Sequence, residues 1–546
     1  MMNNSYKVRS GIIFLCFCLL YTIIILKLYL LQIQRNAFFT ELGEKQYNVS
    51  FTTNPPRAPI YDRKGKFLAM NKDSLAAFIL PKKLTSPETL KPFLKKHFPH
   101  ALERLAANSD AHFMYIGRRL TDEQIRLIQE SNIADIQLLN EPHRFYPVPA
   151  AGQIIGLTDI DNKGIIGLEL LFHPSLAGKP TTYSLERDAR SGHFYFKRKT
   201  TVEGKDGEAL YLTIDGDLQF LAHEELKKTI DHFAAKEGSV LVMNPKNGEI
   251  LAMTSWPDFD PNDTKQIDMA HTKNRVITEE YELGSVIKAF SALAALEEGV
   301  VTIDEPIDCE NVKTTYVDGR KINTVTSSIT GLVPFSQVIE KSNNIGIAKV
   351  VRRLGPSLYT HYKKLGFGKK TNIQFPGERA GFVNPPEQWS KQSLFSLSYG
   401  YEITATLLQL ARAFCIIAND GRYIEPTLNL KQPQTMSEKP LFSAQAITTI
   451  KQILENTVLQ GSAKKARIQG YRVMSKTGTA NILINGQYSP DDNQYTGAAI
   501  IEKGNYQRVI ITFIRQAAQK NLYASTVTIP LLERVAEKML IHEKIL

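Results

Sequence analysis

Cysteine is scarce. Four occur in 546 residues, at positions 16, 18, 309 and 415, and no two form a C-x-x-C pair. This spacing offers no zinc site. Two free, partly buried thiols are expected at Cys309 and Cys415, with a Cys309–Cys415 disulfide as the alternative in an oxidising compartment. Low-complexity tracts and fixed-period repeats are also missing, which sets aside solenoids and compositionally biased chains. No basic run is interleaved with aromatics, so nucleic acid is not expected as a partner despite a net charge of +11. That surplus implies a basic soluble surface, or attraction to an anionic membrane face or wall polymer. No metal and no cofactor is expected.

What is present is ordinary globular composition, 43% hydrophobic and 22% charged. The length exceeds what one core holds, so at least two domains are expected. Lys7 and Arg9 precede an apolar run from Gly11 to Ile33, interrupted only by Lys27 and Gln32. Residues 12–26 alone are short for a bilayer. Continued through Leu31 they reach spanning length, with Lys27 able to reach back to the headgroups. A cleaved signal peptide would need a small-x-small exit, whereas this run leaves through Gln32-Ile33-Gln34-Arg35. The expectation is an uncleaved single-pass anchor over residues 11–33 in the cytoplasmic membrane. Residues 1–10 would then be cytoplasmic and the bulk of the chain extracytoplasmic.

Residues 34–205 read as a mixed segment with no chemistry of its own. Thr121 to Glu130 predicts a short capped helix, and Arg57, Asp62 and Glu169 read as members of structural ion pairs. Residues 206–546 read as a second domain. A strand at 208–215 leads into a helix to about Lys236, with Leu218, Leu221, Ala222 and Leu226 on its apolar face. A hairpin joins Ser239–Met243 to Glu249–Met253 through Asn244-Pro245-Lys246-Asn247-Gly248. Late strands at 496–501 and 507–515 precede a final helix over 530–540. Strands at both ends with helices between predict an α+β domain, one antiparallel sheet flanked by helices.

The chemistry concentrates in three short segments. Gly284-Ser285-Val286-Ile287-Lys288 opens an apolar helix that stops at Gly299, placing Ser285 and Lys288 on one face. A serine needs a base to become a nucleophile. A neutral lysine one turn away could serve, which requires its pKa to fall by roughly three units from about 10.4. Burial and a second cation would both push that way. Alone, S-x-x-K equally describes a helix start beside a surface lysine. Ser342-Asn343-Asn344 adds S-x-N, which by itself would also suit helix capping or turn bonding. Lys476-Thr477-Gly478 adds K-T-G, with Thr479 following. The ordered trio is the signature set of penicillin-binding proteins and class A β-lactamases.

With these motifs the chain resembles a class B penicillin-binding protein, a peptidoglycan D,D-transpeptidase. Arg57-Ala58-Pro59-Ile60-Tyr61-Asp62-Arg63-Lys64-Gly65, Arg144-Phe145-Tyr146-Pro147 and Gly164-Ile165-Ile166-Gly167-Leu168-Glu169-Leu170 resemble segments of the family's non-catalytic pedestal. The resemblance implies a penicillin-binding/β-lactamase-like transpeptidase fold behind that pedestal and one transmembrane helix. It implies Ser285 as acylated nucleophile, Lys288 as base, Ser342 as proton relay to the leaving amine, and Asn344 as holder of the lysine and the substrate amide. Lys476 and Thr477 would take the terminal carboxylate of a D-alanyl-D-alanine stem peptide. Gly478 would let a substrate backbone approach, and the N–H groups of Ser285 and Thr479 would hold the oxyanion. Implied ligands and partners are stem peptides, β-lactams, a polytopic glycan polymerase and other division proteins.

Residues 398–412 resemble the septal-division branch more than the elongation branch. Leu283 stands where the family usually has proline, and Tyr495-Thr496-Gly497-Ala498-Ala499-Ile500 departs from its usual sequence. Glu425-Pro426-Thr427-Leu428-Asn429 mimics a β-lactamase motif whose glutamate activates water, and is read as coincidence. A β-lactam hydrolase or sensor on the same plan, or a division scaffold with dispensable catalysis, remain alternatives. The short N-terminal tail speaks against a sensor.

Overall fold

The computed structural model describes residues 4–187, 194–263, 267–324, 330–432 and 434–545. Helix α1 (Asn4–Tyr29) continues through a π-helical turn at Leu30–Gln34. Its apolar stretch, Tyr6–Gln34, has a mean hydropathy of 2.5 and buries none of its side chains. At ~1.5 Å per residue those 29 residues exceed a hydrocarbon core of about 30 Å.

The chain divides into two compact units. One comprises residues 1–57 and 177–208. It holds α1 and an antiparallel three-stranded sheet of Asn48–Thr53, Thr181–Arg187 and Phe194–Val202, with the second of these in the middle.

The other unit comprises residues 58–176 and 209–546. Its first part is built on β1 (Phe67–Ile79), which pairs antiparallel with both β2 (Met114–Gly117) and β3 (Gln137–Phe145). Short helices pack here over Leu90, Leu94, Leu105 and Ile116. The helix expected from Thr121 runs Asp122–Ser131. Thr121 Oγ1 accepts from Gln124 N while Gln124 Oε1 accepts from Thr121 N, a reciprocal cap. Two of the sequence segments noted above meet here, because Arg144 Nε donates to Glu169 Oε1 at 2.6 Å with both side chains fully buried. Asp62, expected in an ion pair, instead accepts backbone N–H groups. Lys64 and Lys66 donate to its Oδ1 at 2.8 Å each, and Gly216 donates to its Oδ2 at 3.1 Å. A short acidic side chain beside a turn commonly does this.

Helix α2 (Gly216–Phe233) starts at Asp215, whose carboxylate accepts from Asp217 N and Leu218 N, and it buries Leu218, Ala222 and Leu226. The hairpin β4 (Glu237–Met243) and β5 (Ile250–Trp256) follows as expected. Next come α3 (Lys288–Glu297), α4 (Asn344–Leu354), α5 (Leu407–Ala418) and α6 (Ala444–Leu459). The chain returns through β6 (Arg472–Ile484), β7 (Gln487–Lys503) and β8 (Tyr506–Arg515), and ends in α7 (Ala524–His542). The five strands form one antiparallel sheet in the order β5-β4-β8-β7-β6.

Alternation along the strands sends side chains to two cores. Leu241, Met243, Ile511 and Phe513 join Phe290 of α3 and Phe414 of α5. Val240, Val242, Ile510 and Ile514 join Leu226 of α2 and Leu532 of α7. A sheet covered on both faces explains why these strands read as nearly continuous apolar runs. The α+β expectation thus holds, with two boundary corrections. Strands β6 and β7 extend to a two-residue turn at Asn485-Gly486, both at positive φ, a hairpin geometry those two residues favour. Helix α7 begins at Ala524 and carries Pro530 inside it. Proline is commonest at a helix start, which is why the sequence suggested a start there. Cys309 and Cys415 are free and buried.

Candidate active site

Gly284 takes φ +60°, and the 3-10 turn Gly284–Ile287 runs directly into α3. Every residue of α3 from Lys288 to Ala295 is buried. The helix therefore carries the lysine inside: Lys288 is 0% exposed, while Ser285, on the turn, stays half-buried.

Lys288 Nζ lies 2.6 Å from Ser342 O, 2.5 Å from Asn344 Oδ1 and 3.2 Å from Ser342 Oγ. Lys476 Nζ donates to the same Ser342 Oγ at 3.1 Å and to Thr477 O at 3.0 Å. Side chains 54 and 134 residues away from Ser342 in the chain thus converge on its hydroxyl. Ser342 sits at φ +60°, and its carbonyl and hydroxyl face one amine, that of Lys288. A non-glycine residue held in this region costs on the order of 1–3 kcal/mol, a cost typical of functional sites. Helix capping, the bland reading of this motif, falls to its middle residue. Asn343 Oδ1 accepts from Gly346 N at 2.9 Å and starts α4. Asn344 Nδ2 donates to Asn323 O at 2.6 Å, which fixes the amide orientation.

Burial drives Lys288 well below the ordinary lysine value, and the charge of Lys476 pushes it further. Lys476, also fully buried, is pushed down to about 7 by desolvation. A neutral amine has two hydrogens, which the two short contacts of Lys288 use, and one lone pair left to take a proton.

Strand β6 is an edge of the sheet, so alternate backbone groups along it lack a strand partner. Gly478 was expected to admit a substrate backbone. The structure shows that the neighbour it admits is the turn of Ser285. A Cβ on Gly478 would lie 2.4 Å from Leu283 O and 2.8 Å from Val286 N. Gly478→Ala is therefore expected to displace the Ser285 turn and to slow acylation on the order of 100-fold, the cost of a displacement near 1 Å. Stopped-flow kinetics with a chromogenic β-lactam would check this, and a wild-type rate would refute it.

Some contacts at the site carried no sequence signal. Ser462, just beyond α6, lies with its Oγ 3.2 Å from Thr477 Oγ1, inside no motif. Thr479 Oγ1 accepts from Ala524 N at 3.1 Å and so caps α7 from a distant strand. Glu425 lies away from the site. Its segment runs beside β5 at the opposite edge of the sheet, where Thr427 N donates to Gly248 O and Thr427 O accepts from Ile250 N. The expectation of coincidence holds for that motif.

Residues 238–537 match the family described as the penicillin binding protein transpeptidase domain, and residues 52–212 match the penicillin-binding protein dimerisation domain. The chain is 29% identical over 511 residues to the probable peptidoglycan D,D-transpeptidase PbpC of Pseudomonas aeruginosa, covering 92% of this chain and 90% of that protein. It is 29% identical over 493 residues to peptidoglycan D,D-transpeptidase FtsI of Escherichia coli, covering 87% and 81%. The crystal structure of penicillin binding protein 3 from Mycobacterium tuberculosis complexed with aztreonam superposes with a TM-score of 0.66 at 24% identity, covering 91% of this chain and 98% of that one.

Proposed function

The chain belongs to the class B penicillin-binding proteins and is a serine-type peptidoglycan D,D-transpeptidase, and we propose that it crosslinks stem peptides at the division site. In this reading residues 1–10 are a cytoplasmic tail, 11–33 the membrane anchor, 34–205 the pedestal and 206–546 the catalytic domain. Neutral Lys288 takes the Ser285 proton as Oγ attacks the penultimate D-alanyl carbonyl. The backbone N–H groups of Ser285 and Thr479 receive the developing oxyanion; losing one such donor typically costs about 10²–10³-fold. Ser342 then passes a proton to the departing D-alanine amine. Lys476 and Thr477 hold the terminal carboxylate, with Ser462 beside the threonine hydroxyl. The acyl-enzyme is resolved by an acceptor amine, forming the crosslink. A β-lactam acylates the same serine without supplying a departing group.

The observation that carries this reading is the convergence of Lys288 and Lys476 on Ser342 Oγ, within 3.2 Å. The division role is supported by the resemblance of residues 398–412 to the septal branch and by the likeness to FtsI. A glycan polymerase and division proteins are the proposed partners of anchor and pedestal. The hydrolase alternative is disfavoured because Glu425, the motif's candidate for activating water, belongs to the opposite sheet edge.

Mass spectrometry with a labelled penicillin tests the reading. Wild type is expected to gain a single adduct on Ser285 that lasts hours, and Ser285→Ala none. Equal labelling of both, or an adduct lost in seconds, would overturn it. Supplied as the sole copy in cells, Ser285→Ala should block septation and give filaments; rounded cells would point to elongation instead.

A further inference from the structure

The turn that carries Ser285 is short and 3-10 in form, with Gly284, Val286 and Ile287 buried and Ser285 half-buried, so neighbours outside α3 help to fix its position. Glu282, three residues before the serine, has a side chain in no motif considered above. Its Oε1 accepts from Glu402 N at 2.9 Å and from Tyr488 Oη at 3.1 Å. Its backbone carbonyl accepts from Gln494 Nε2. These bonds reach two elements remote in sequence. Residues 400–402 form one: Gly284 N donates to Gly400 O at 3.3 Å, and Gly400 approaches so closely that a Cβ there would lie 2.2 Å from Gly284 O. Strand β7 and its hairpin, bearing Tyr488 and Gln494, form the other.

The surrounding geometry is built around the carboxylate. Glu402 sits at φ +58°, a conformation costly for a side-chain residue. It is held there by its N–H bond to Glu282 and by Asn384 Nδ2 donating to its Oε2 at 2.8 Å. Glu282 is half-buried and has no cationic partner among the described residues. A half-buried carboxylate without a cation is normally disfavoured. Here two converging donors compensate, and burial raises its pKa above the usual range.

We propose that Glu282 is a positioning residue for acylation: its carboxylate ties the Ser285 turn to the 400–402 loop and the β6–β7 hairpin, setting where Oγ stands relative to Lys288 and the oxyanion donors. This rests on Ser285 being the nucleophile. A hydrogen-bond clamp of this kind controls attack geometry, where a displacement of about 1 Å can cost 100-fold. Its hydrogen-bond partners are Glu402, Tyr488 and Gln494 rather than Lys476 or Thr477, the proposed holders of the substrate carboxylate, so binding should be spared.

The test separates pre-acylation binding from the acylation rate constant for a chromogenic β-lactam, using the full-length protein in detergent. Glu282→Ala is expected to lower the acylation rate constant on the order of 100-fold while the binding constant stays within about threefold. Glu282→Gln keeps an acceptor oxygen and should recover most of the rate. Tyr488→Phe removes one of the two donors and should give an intermediate loss. A merely structural role would lower the melting midpoint and leave both constants of the folded protein unchanged. Glu282→Ala acylating at the wild-type rate, or Gln and Ala variants equally slow, would overturn the proposal. Absence of any wild-type adduct would instead refute the nucleophile assignment.

Discussion

Lys288→Met is expected to slow acylation of Ser285 by about 10²–10⁴-fold, the range that general-base catalysis supplies. Methionine keeps the shape of the buried stem and removes the proton acceptor. Lys288→Arg should be as slow, because a guanidinium stays protonated at any working pH. The pair separates lost chemistry from lost packing. The pH profile follows from the same site. Lys288 must be neutral to act, so kcat/KM should fall as pH falls through its depressed pKa. Lys476 must be charged to hold a carboxylate. It sits at about 7 in the free enzyme, so kcat/KM should also fall as pH rises past that value. A bound carboxylate stabilises the Lys476 ammonium, so the alkaline limb should move upward in kcat, which reports the complex. The two amines share Ser342 Oγ and titrate as a coupled pair, so the limbs belong to the pair rather than to either residue. Stopped-flow acylation over a pH series measures both limbs. A wild-type rate in Lys288→Met, or an alkaline limb that stays put between kcat/KM and kcat, would refute this account.

What the sequence disclosed and what it hid divide along a physical line. The order Ser285-Lys288, Ser342-Asn344 and Lys476-Thr477-Gly478 was visible because chemistry restricts both residue type and local spacing. Nearly continuous apolar runs bounded by turn residues made β4, β5 and β8 visible, and reciprocal capping at Thr121 and Gln124 made a helix start visible. Hidden were the contacts that depend on distant chain meeting in space. Ser462 reaches Thr477, and Thr479 caps α7, across separations that no local pattern encodes. Gly478 was singled out by its motif, but its approach to the Ser285 turn was not foreseen, because a missing side chain says that something comes close without saying what. The start of α7 was misplaced because proline in a helix usually marks its first turn.

The Arg144–Glu169 pair places Glu169 in a structural ion pair, as its sequence segment led us to expect. Both side chains are fully buried, and Arg144 Nη1 also reaches Asn71 Oδ1 at 3.4 Å. Glu169→Ala would leave the guanidinium buried without its carboxylate, which typically costs about 3–5 kcal/mol. Glu169→Gln would keep a hydrogen-bond acceptor and lose the charge, and should cost less. Removing both charges together, as Arg144→Met with Glu169→Leu, should recover much of the loss, because apolar replacements of buried pairs are often neutral or better. Amide hydrogen exchange on the full-length protein reads this locally: protection of β1 and β3 should drop in Glu169→Ala and return in the double variant. Ser285, Lys288, Ser342 and Lys476 stand on other elements, so the acylation rate of the folded variant should match wild type. Unchanged protection in Glu169→Ala would refute the structural assignment. A slowed acylation with protection intact would mean that this buried pair influences the Ser285 site, a role its geometry gives no reason to expect.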